Sequence, residues 1–163
     1  MNNPSNPSST VALRPVGPAD EALLLEIYAS TRADEMAIVP WPKEQQEQFV
    51  KMQFTAQQQH YRKLYPDASH DIIMAHDRPV GRLYVARLTE RIEILDVTLL
   101  PPERNAGIGS YLIKGLMDEA TRTARPLRVY VESFNRSLRL FKRLGFARMA
   151  QDGIYVQLEW RPA

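Results

Sequence analysis

The chain has 163 residues, 44% of them hydrophobic and 25% charged, with a formal net charge of +2. Such a length and composition predict one globular domain, large enough to bury a hydrophobic core. The sequence contains no cysteine, which excludes disulfides, thiol nucleophiles and thiolate metal sites. The small net charge gives no argument for nucleic-acid binding.

Small and polar residues fill the first ten positions, and no charged segment followed by an apolar one occurs there. This is not the pattern of a secretory signal, and we expect residues 1–10 to form a disordered tail. No apolar run approaches the length of a membrane span. We therefore expect one domain over residues 11–163, without a membrane partner, and the lack of cysteine fits a reducing cytoplasm.

The first half of the chain predicts strands and helices in alternation. A short strand at residues 11–16 precedes a helix that we expect to end near Ser30, because apolar residues from Leu23 to Tyr28 follow helical spacing. A second helix is expected over residues 43–64, which contain no glycine or proline. Short turns then separate three apolar runs, which predicts an antiparallel meander of strands at residues 71–75, 80–88 and 92–100.

Residues 103–110 form a glycine-containing turn that leads directly into a helix. Gly107 and Gly109 have no Cβ, so backbone N–H groups there can face outward. The open N–H groups at the start of a helix suit an anion, and phosphate above all. The sequence therefore predicts a phosphorylated cofactor at this turn.

The second half of the chain predicts a parallel crossover and a closing hairpin. The helix after the turn has one apolar stripe, formed by Ile108, Leu112, Leu116 and Ala120. A strand follows at residues 127–131, and a helix between two strands makes them parallel neighbours. A short helix at residues 137–144, stopped by Gly145, precedes two hairpin strands near residues 146–149 and 154–160.

Two motifs, about thirty residues apart, resemble those of the GNAT superfamily of N-acetyltransferases. Residues 104–109 fit the pattern Arg/Gln-x-x-Gly-x-Gly/Ala, and residues 135–146 are similar to Asn-x-x-x-x-Leu-Tyr-x-x-Leu-Gly-Phe. The resemblance covers roughly Val11 to Trp160. It implies an α/β fold in which about four helices flank a mixed, mostly antiparallel sheet with one splayed parallel strand pair.

Two other phosphate-binding turns are weighed against this resemblance. A Rossmann dinucleotide site needs Gly-x-Gly-x-x-Gly directly after the first strand of a βαβ unit, whereas this chain has one Gly-x-Gly, after a meander. A Walker loop needs Gly-Lys-Ser/Thr, which does not follow here.

The resemblance implies acetyl-CoA as the cofactor, bound largely by backbone groups. Its pyrophosphate would lie on the N–H groups of Asn105, Ala106, Gly107, Ile108, Gly109 and Ser110. Arg104 would brace the turn or contact phosphate. Pantetheine would lie between the splayed strands, with its amides and the thioester carbonyl on backbone groups near Val97 and Leu99. A backbone N–H there can stabilise the oxyanion of acyl transfer, which gives Leu99 a catalytic role.

Three further residues of the second motif have expected contacts with the cofactor. Asn135 either bonds the pantetheine arm or caps the following helix. Arg143, with Arg136 and Arg139 on one helix face, either reaches the nucleotide phosphates or belongs to a solvated basic face. Phe141 is expected to pack against the thioester.

The reaction that the resemblance implies is direct attack of a primary amine on acetyl-CoA in a ternary complex, without a metal. A typical primary ammonium has a pKa of about 10, so a base must accept its proton. Glu93 and Asp96 are candidates, and the distance from Glu93 to Arg104 is similar to that of the general-base Glu in the histone-acetylating branch. A salt bridge to Arg82 or Arg87 is the alternative role of either acid.

Phe141 departs from the family pattern, because many members carry a tyrosine that protonates the leaving thiolate. The thiolate can leave unaided, so catalysis remains compatible with Phe141. The alternative is a CoA-binding sensor or interaction protein without catalysis. The acceptor, a small molecule or a peptide, would lie near the first two helices and the Trp41 loop; a homodimer is compatible with the sequence, and nucleic acid is not expected.

Overall fold

The computed structural model describes residues 10–163, which form seven strands and four α-helices. The expected tail at residues 1–10 therefore lies outside the described residues, except for Thr10. The elements, in chain order, are β1 Val11–Pro15, α1 Glu21–Ile38, α2 Lys43–Leu64, β2 Ser69–Ala75, β3 Arg78–Arg87, β4 Ile92–Leu99, α3 Ile108–Arg122, β5 Leu127–Glu132, α4 Ser137–Arg143, β6 Ala147–Asp152 and β7 Tyr155–Trp160.

One seven-stranded sheet runs through the molecule in the order β1-β2-β3-β4-β5-β7-β6. Neighbouring strands are antiparallel except β4 and β5, which are parallel. The β4–β5 register begins at Ile92 with Leu127 and ends at Ile94 with Val129. Both strands continue beyond this point without pairing to each other, so a gap opens between them. The predicted mixed sheet with one splayed parallel pair is confirmed.

A β-bulge lies in β4 where this gap begins. Tyr84 of β3 pairs with Asp96, but the next residue, Val85, pairs with Ile94, so Leu95 is the extra residue. An extra residue in a strand shifts the following side chains to the opposite face. Glu93 and Asp96 consequently both point toward α2, although a regular strand would place them on opposite faces.

Two hydrophobic clusters hold the helices on the sheet. The larger one joins the strands to α3 and α4, and the buried stripe of α3 is Ile108, Leu112, Ile113, Leu116 and Ala120. The smaller one joins α1 and α2 to the other face through Leu24, Tyr28, Val50, Phe54 and Ile72. Among residues 10–163, no helix is long and apolar enough to span a membrane.

The predicted end of the first helix near Ser30 is wrong, because α1 continues to Ile38. The hydroxyls of Ser30 and Thr31 donate to the carbonyls of Ile27 and Tyr28, so these polar residues are satisfied within the helix. Good helix formers follow them, and the next proline is Pro40. The helix therefore gains about two turns, and these bring Arg32 toward the end of β5.

Candidate active site

The turn between β4 and α3 presents the N-terminus of α3 beside the gap. Asn105 has φ 63° and Gly107 has φ 84°, both in the left-handed region where asparagine and glycine are tolerated best. Tyr111 N–H donates to the Gly107 carbonyl, so the N–H groups of residues 108–110 precede the first hydrogen bond of the helix. These N–H groups and the helix dipole favour an anion.

Gly109 serves close packing of α3 against α4. A Cβ at this position would lie 3.3 Å from Cδ2 of Leu140, tighter than ordinary contact. The second glycine of the turn therefore allows the two elements that carry the two sequence motifs to touch.

Arg104 braces the turn, one of its two predicted roles. Its Nε donates to the Leu99 carbonyl at 3.2 Å and so ties the turn to the last residue of β4. Burial, and to a smaller extent repulsion from Arg136, lowers the pKa of Arg104. The second guanidinium nearby adds positive charge, which suits a phosphate group.

The free edge of β4 faces the gap with backbone N–H groups. Leu100 N–H donates to the Val80 carbonyl of β3 at 2.8 Å. Residues alternate in an antiparallel ladder, so the N–H of Thr98 points toward β3 as well. The N–H groups of Val97 and Leu99 therefore point the other way, toward the gap. These are the two residues predicted to meet the thioester.

Glu93 is enclosed on the α2 side of the sheet, with only 2% of its surface exposed. Its Oε2 accepts hydrogen bonds from the Tyr65 hydroxyl and from Nη2 of Arg91, both at 3.1 Å. The expected alternative partners, Arg82 and Arg87, bond elsewhere, since Nε of Arg87 donates to Glu119 at 2.6 Å. The carboxylate is thus held by one phenol and one guanidinium.

Asp96 forms the salt bridge that was its alternative role. Its Oδ2 lies 2.5 Å from Nε of Arg82, and its Oδ1 accepts from the Thr98 hydroxyl at 2.9 Å. Arg82 is fully buried and also donates through Nη2 to Gln57 of α2 at 2.6 Å. Asp96 therefore neutralises a buried guanidinium, while its predicted role as a base stays a prediction.

The second motif forms the turn from β5 into α4. The Asn135 side-chain oxygen accepts from the N–H and the hydroxyl of Ser137 at 2.8 and 2.7 Å, which forms an Asx turn before α4, whose N-cap residue is Arg136 rather than the predicted Asn135. Within residues 10–163 its side-chain NH₂ has no partner, so the predicted bond to pantetheine stays a prediction. Arg143 is exposed on α4. Exposure is compatible with both predicted roles, a contact with the nucleotide phosphates and membership of a solvated basic face.

Phe141 lies in the main core with none of its surface exposed. Its ring packs edge to face on Phe146, with the centroids 5.1 Å apart. A phenylalanine suits this environment, since a buried hydroxyl would need a partner. The predicted contact with the thioester is not seen and stays a prediction.

Two side-chain contacts near the gap were not predicted from the sequence. Arg32 of α1 donates to both oxygens of Glu132 at the end of β5, at 3.1 and 2.8 Å, and so bridges the two halves of the sheet. The Tyr61 hydroxyl donates to the carbonyl of Leu95, the bulge residue, at 2.9 Å. Tyr61 of α2 and Tyr65, the residue directly after this helix, are four positions apart, a spacing visible in the sequence. The Arg32–Glu132 pair spans 100 positions and has no local signal.

Comparison with known proteins agrees with this geometry. The Acetyltransferase (GNAT) family matches residues 26–146, about three quarters of the chain. No curated protein matches the sequence.

Solved structures share the fold at low sequence identity. The N-acetyltransferase PaiA from Thermoplasma acidophilum, in complex with coenzyme A, is 16% identical, with a TM-score of 0.70 over 93% of this chain and 99% of that chain. The Campylobacter jejuni N-acetyltransferase PseH is 14% identical, with a TM-score of 0.60 over 94% and 99%. RimL, a ribosomal alpha-N-protein acetyltransferase in complex with coenzyme A, is 15% identical, with a TM-score of 0.64 over 96% and 97%. On the family match, this chain belongs to the acetyltransferase (GNAT) family.

Proposed function

We propose that the protein transfers an acetyl group from acetyl-CoA to a primary amine by direct attack in a ternary complex. The observation that carries the proposal is the gap between β4 and β5, which opens beside the N-terminus of α3. One edge of the gap carries the N–H groups of Val97 and Leu99. A helix N-terminus that suits a phosphate and a row of amide donors thus lie next to each other, which would suit a long cofactor with an anionic end and an amide-containing arm.

The residues present fit coenzyme A. The pyrophosphate would lie on the N–H groups of residues 105–110, with Arg104 and Arg136 adding positive charge. The pantetheine amides would pair with the free edge of β4 as an added strand does. The NH₂ of Asn135 would donate to the same arm, and Arg143 would contact the nucleotide phosphates.

Acetyl-CoA, when bound, supplies the thioester carbonyl carbon that the amine attacks. The N–H groups of Val97 and Leu99 would donate to the carbonyl oxygen, whose negative charge grows during the attack. Glu93 would accept the proton of the amine, and Asp96 is the second candidate for this role. The PaiA structure and the RimL structure both contain coenzyme A, which supports the choice of cofactor for this chain.

The proposed acceptor is a primary amine on a small molecule or a peptide. RimL is a protein acetyltransferase by its description, and its fold is shared here. The α1–α2 side of the sheet, where Glu93 and Asp96 lie, is where we place the acceptor.

The test is an acceptor screen with acetyl-CoA labelled in the acetyl group. Amines in the screen would include ethylamine, spermidine, free lysine and a peptide with a free N-terminus. We expect label in at least one amine product, together with release of free CoA in equal amount. Binding of acetyl-CoA without label transfer to any amine would contradict the proposed reaction.

That second outcome corresponds to the other candidate function, a CoA-binding sensor of the same fold. The observation that favours it is Phe141, a side chain that has no proton to donate to the leaving thiolate. Free CoA release separates the two candidates, because a sensor would bind acetyl-CoA and release none.

A further inference from the structure

The candidate base Glu93 is too enclosed to touch an acceptor directly. Its side chain is enclosed by α2 above it and by the neighbouring strands, where Ala86 of β3 and Arg128 of β5 are its partners in register. Only 3% of the side chain is exposed. A proton from the amine therefore needs an intermediate group to reach this carboxylate, and a side chain that already touches the carboxylate can serve as one.

Two side chains touch the Glu93 carboxylate, and they differ in proton chemistry. Arg91 donates through a guanidinium, which does not give up its proton in proteins. Tyr65 donates through a hydroxyl, which can accept one hydrogen bond while it donates another. Tyr65 is thus the contact through which a proton can be exchanged.

Tyr65 is well placed for this role at the end of α2. It is the residue directly after the helix, and its N–H donates to the Tyr61 carbonyl at 2.8 Å, which fixes its backbone. Its side chain is half-buried, so part of it is accessible from outside while its hydroxyl bonds Glu93. Burial, reinforced by the Glu93 charge, raises the pKa of Tyr65, so the phenol is protonated at neutral pH.

We propose that Tyr65 relays the proton of the acceptor amine to Glu93. The N–H bond of the ammonium breaks as its proton moves to the Tyr65 oxygen. The original Tyr65 proton moves in the same step to Oε2 of Glu93, leaving a neutral amine, a neutral phenol and a neutral carboxylic acid. The inference rests on the proposed acetyl transfer and names how its proton is removed.

Of the charged and titratable groups around this pair, Arg91 bonds the pair and the others bond elsewhere. Arg91 lies on the loop before β4, bonds Glu93 and also interacts with the Tyr65 hydroxyl. Arg128 of β5 bonds Glu159 of β7 at 3.2 Å. The Tyr61 hydroxyl of α2 bonds the Leu95 carbonyl, and Asp96 of β4 bonds Arg82 of β3. Among these neighbours, only the Tyr65 hydroxyl offers Glu93 a transferable proton.

The experiment uses the full chain with Tyr65→Phe, Glu93→Gln and the double variant, and with whichever of ethylamine, spermidine, lysine or peptide amine reacts fastest. Tyr84→Phe is the matched control, because it removes another buried hydroxyl under α2 that does not bond Glu93. Acetyl-CoA-dependent stabilisation is measured for every variant, to show that each folds and binds the cofactor.

We expect Tyr65→Phe to lower kcat at pH 7 by about tenfold or more. Without the relay, only amine that is already unprotonated reacts, so the loss should shrink as the pH rises toward the amine pKa of about 10. The double variant should be no slower than Glu93→Gln, since two residues on one path are not additive. Tyr84→Phe should keep the wild-type pH profile.

Equal losses for Tyr65→Phe at pH 7 and pH 9.5, or losses that add in the double variant, would overturn the relay and leave acetyl transfer standing. Wild-type kcat in Tyr65→Phe would overturn it too. If the unaltered protein acetylates none of the four amines, the proposed function fails first, and the relay fails with it.

Discussion

Glu93 is the residue on which the proposed chemistry depends most. A carboxylate in an almost closed site is costly unless it is paired, and here Tyr65 and Arg91 supply the pairing. The same enclosure would keep water away from a proton transfer. The local contacts thus support a chemical role for a charge placed within an otherwise apolar strand.

Replacing Glu93 by glutamine keeps the shape of the side chain and removes the proton acceptor. We expect kcat to fall by about 10²- to 10⁴-fold. The acetyl-CoA-dependent rise in melting temperature should stay unchanged, because the cofactor is placed on backbone groups elsewhere. Glu90→Gln, at an exposed position in the preceding loop, is the control and should keep full activity. Full activity of Glu93→Gln at neutral pH would exclude Glu93 as the base.

A substitution at Gly107 tests the proposed phosphate site. Its φ of 84° disfavours any other residue, and a large side chain there would cover the N–H groups of the turn. Gly107→Trp should therefore abolish stabilisation by acetyl-CoA. Gly115→Trp is the matched control on the same helix, because a Cβ at Gly115 has nothing within 4 Å. Stabilisation that survives in Gly107→Trp would place the cofactor elsewhere.

His70 is a half-buried titratable residue, and its protonation should affect the stability of the fold. Its ring stacks on Tyr84 with centroids 4.0 Å apart. Burial, and then the charge of Arg82, lowers its pKa from 6.5 to about 4, while Asp96, Arg62 and Asp20 act more weakly. The unfolded chain binds a proton below the higher value and the folded chain does not, so the protein should lose stability as the pH falls between these two values.

His70→Phe keeps an aromatic ring on Tyr84 and removes this titration. Urea unfolding at pH 7, 5.5 and 4.5 would measure the difference. We expect the free energy of unfolding to fall less steeply with decreasing pH in the variant. Parallel pH dependences of the two proteins would contradict the assignment to His70.

At the scale of elements, the bulge in β4 determines where the candidate acids lie. The strand itself and the following turn could be predicted, because apolar runs and glycines are local signals. The bulge could not, since Leu95 is as ordinary a strand residue as its neighbours. A regular alternation puts Glu93 and Asp96 on opposite faces, and only the pairing of β3 with β4 shows that both face α2.

The ends of elements show the same limit. The first helix was predicted to end near Ser30, just after the last apolar residue at helical spacing, Tyr28, whereas it continues to Ile38. The extra turns carry Arg32, whose partner Glu132 lies 100 positions later. A contact of that kind depends on tertiary packing. Neither the Arg32–Glu132 ion pair nor its position at the open end of the gap could therefore be predicted from the sequence.

The Arg32–Glu132 pair gives the prediction at this scale. Both side chains are mostly buried, with 16% and 14% exposed. Arg32→Gln or Glu132→Gln alone should lower the free energy of unfolding by about 1–3 kcal/mol, because Glu132 loses its partner in the first variant and Arg32 keeps only Glu35 as an ion-pair partner in the second. The Arg32→Glu, Glu132→Arg double variant should recover part of the loss.

Urea unfolding measures these effects, and Lys43→Gln is the control. Lys43 and Glu47 form an exposed pair at 3.9 Å, with 91% and 66% of the side chains exposed. Its loss should change stability by less than about 0.5 kcal/mol. If Arg32→Gln and Lys43→Gln cost the same, the pair across the gap would contribute no more than a surface contact.

At the scale of the whole molecule, the sheet over residues 10–163 consists of two parts that meet over three residue pairs, between Ile92–Ile94 and Leu127–Val129. The order of elements allowed this mixed sheet to be predicted, since a helix between two strands makes them parallel. The resemblance of the two motifs then implied the splay, and the family match agrees with it. The acceptor, in contrast, depends on how α1, α2 and the far strands come together, which no motif encodes.

The central claim, that the folded protein binds acetyl-CoA, is tested most directly by unfolding the unaltered protein with and without the cofactor. If acetyl-CoA binds only the folded state, a concentration one hundred times its Kd should stabilise the protein by about 2.7 kcal/mol. The melting temperature should rise accordingly and keep rising with concentration. A melting temperature that excess acetyl-CoA leaves unchanged would contradict the proposed cofactor, and with it the proposed reaction.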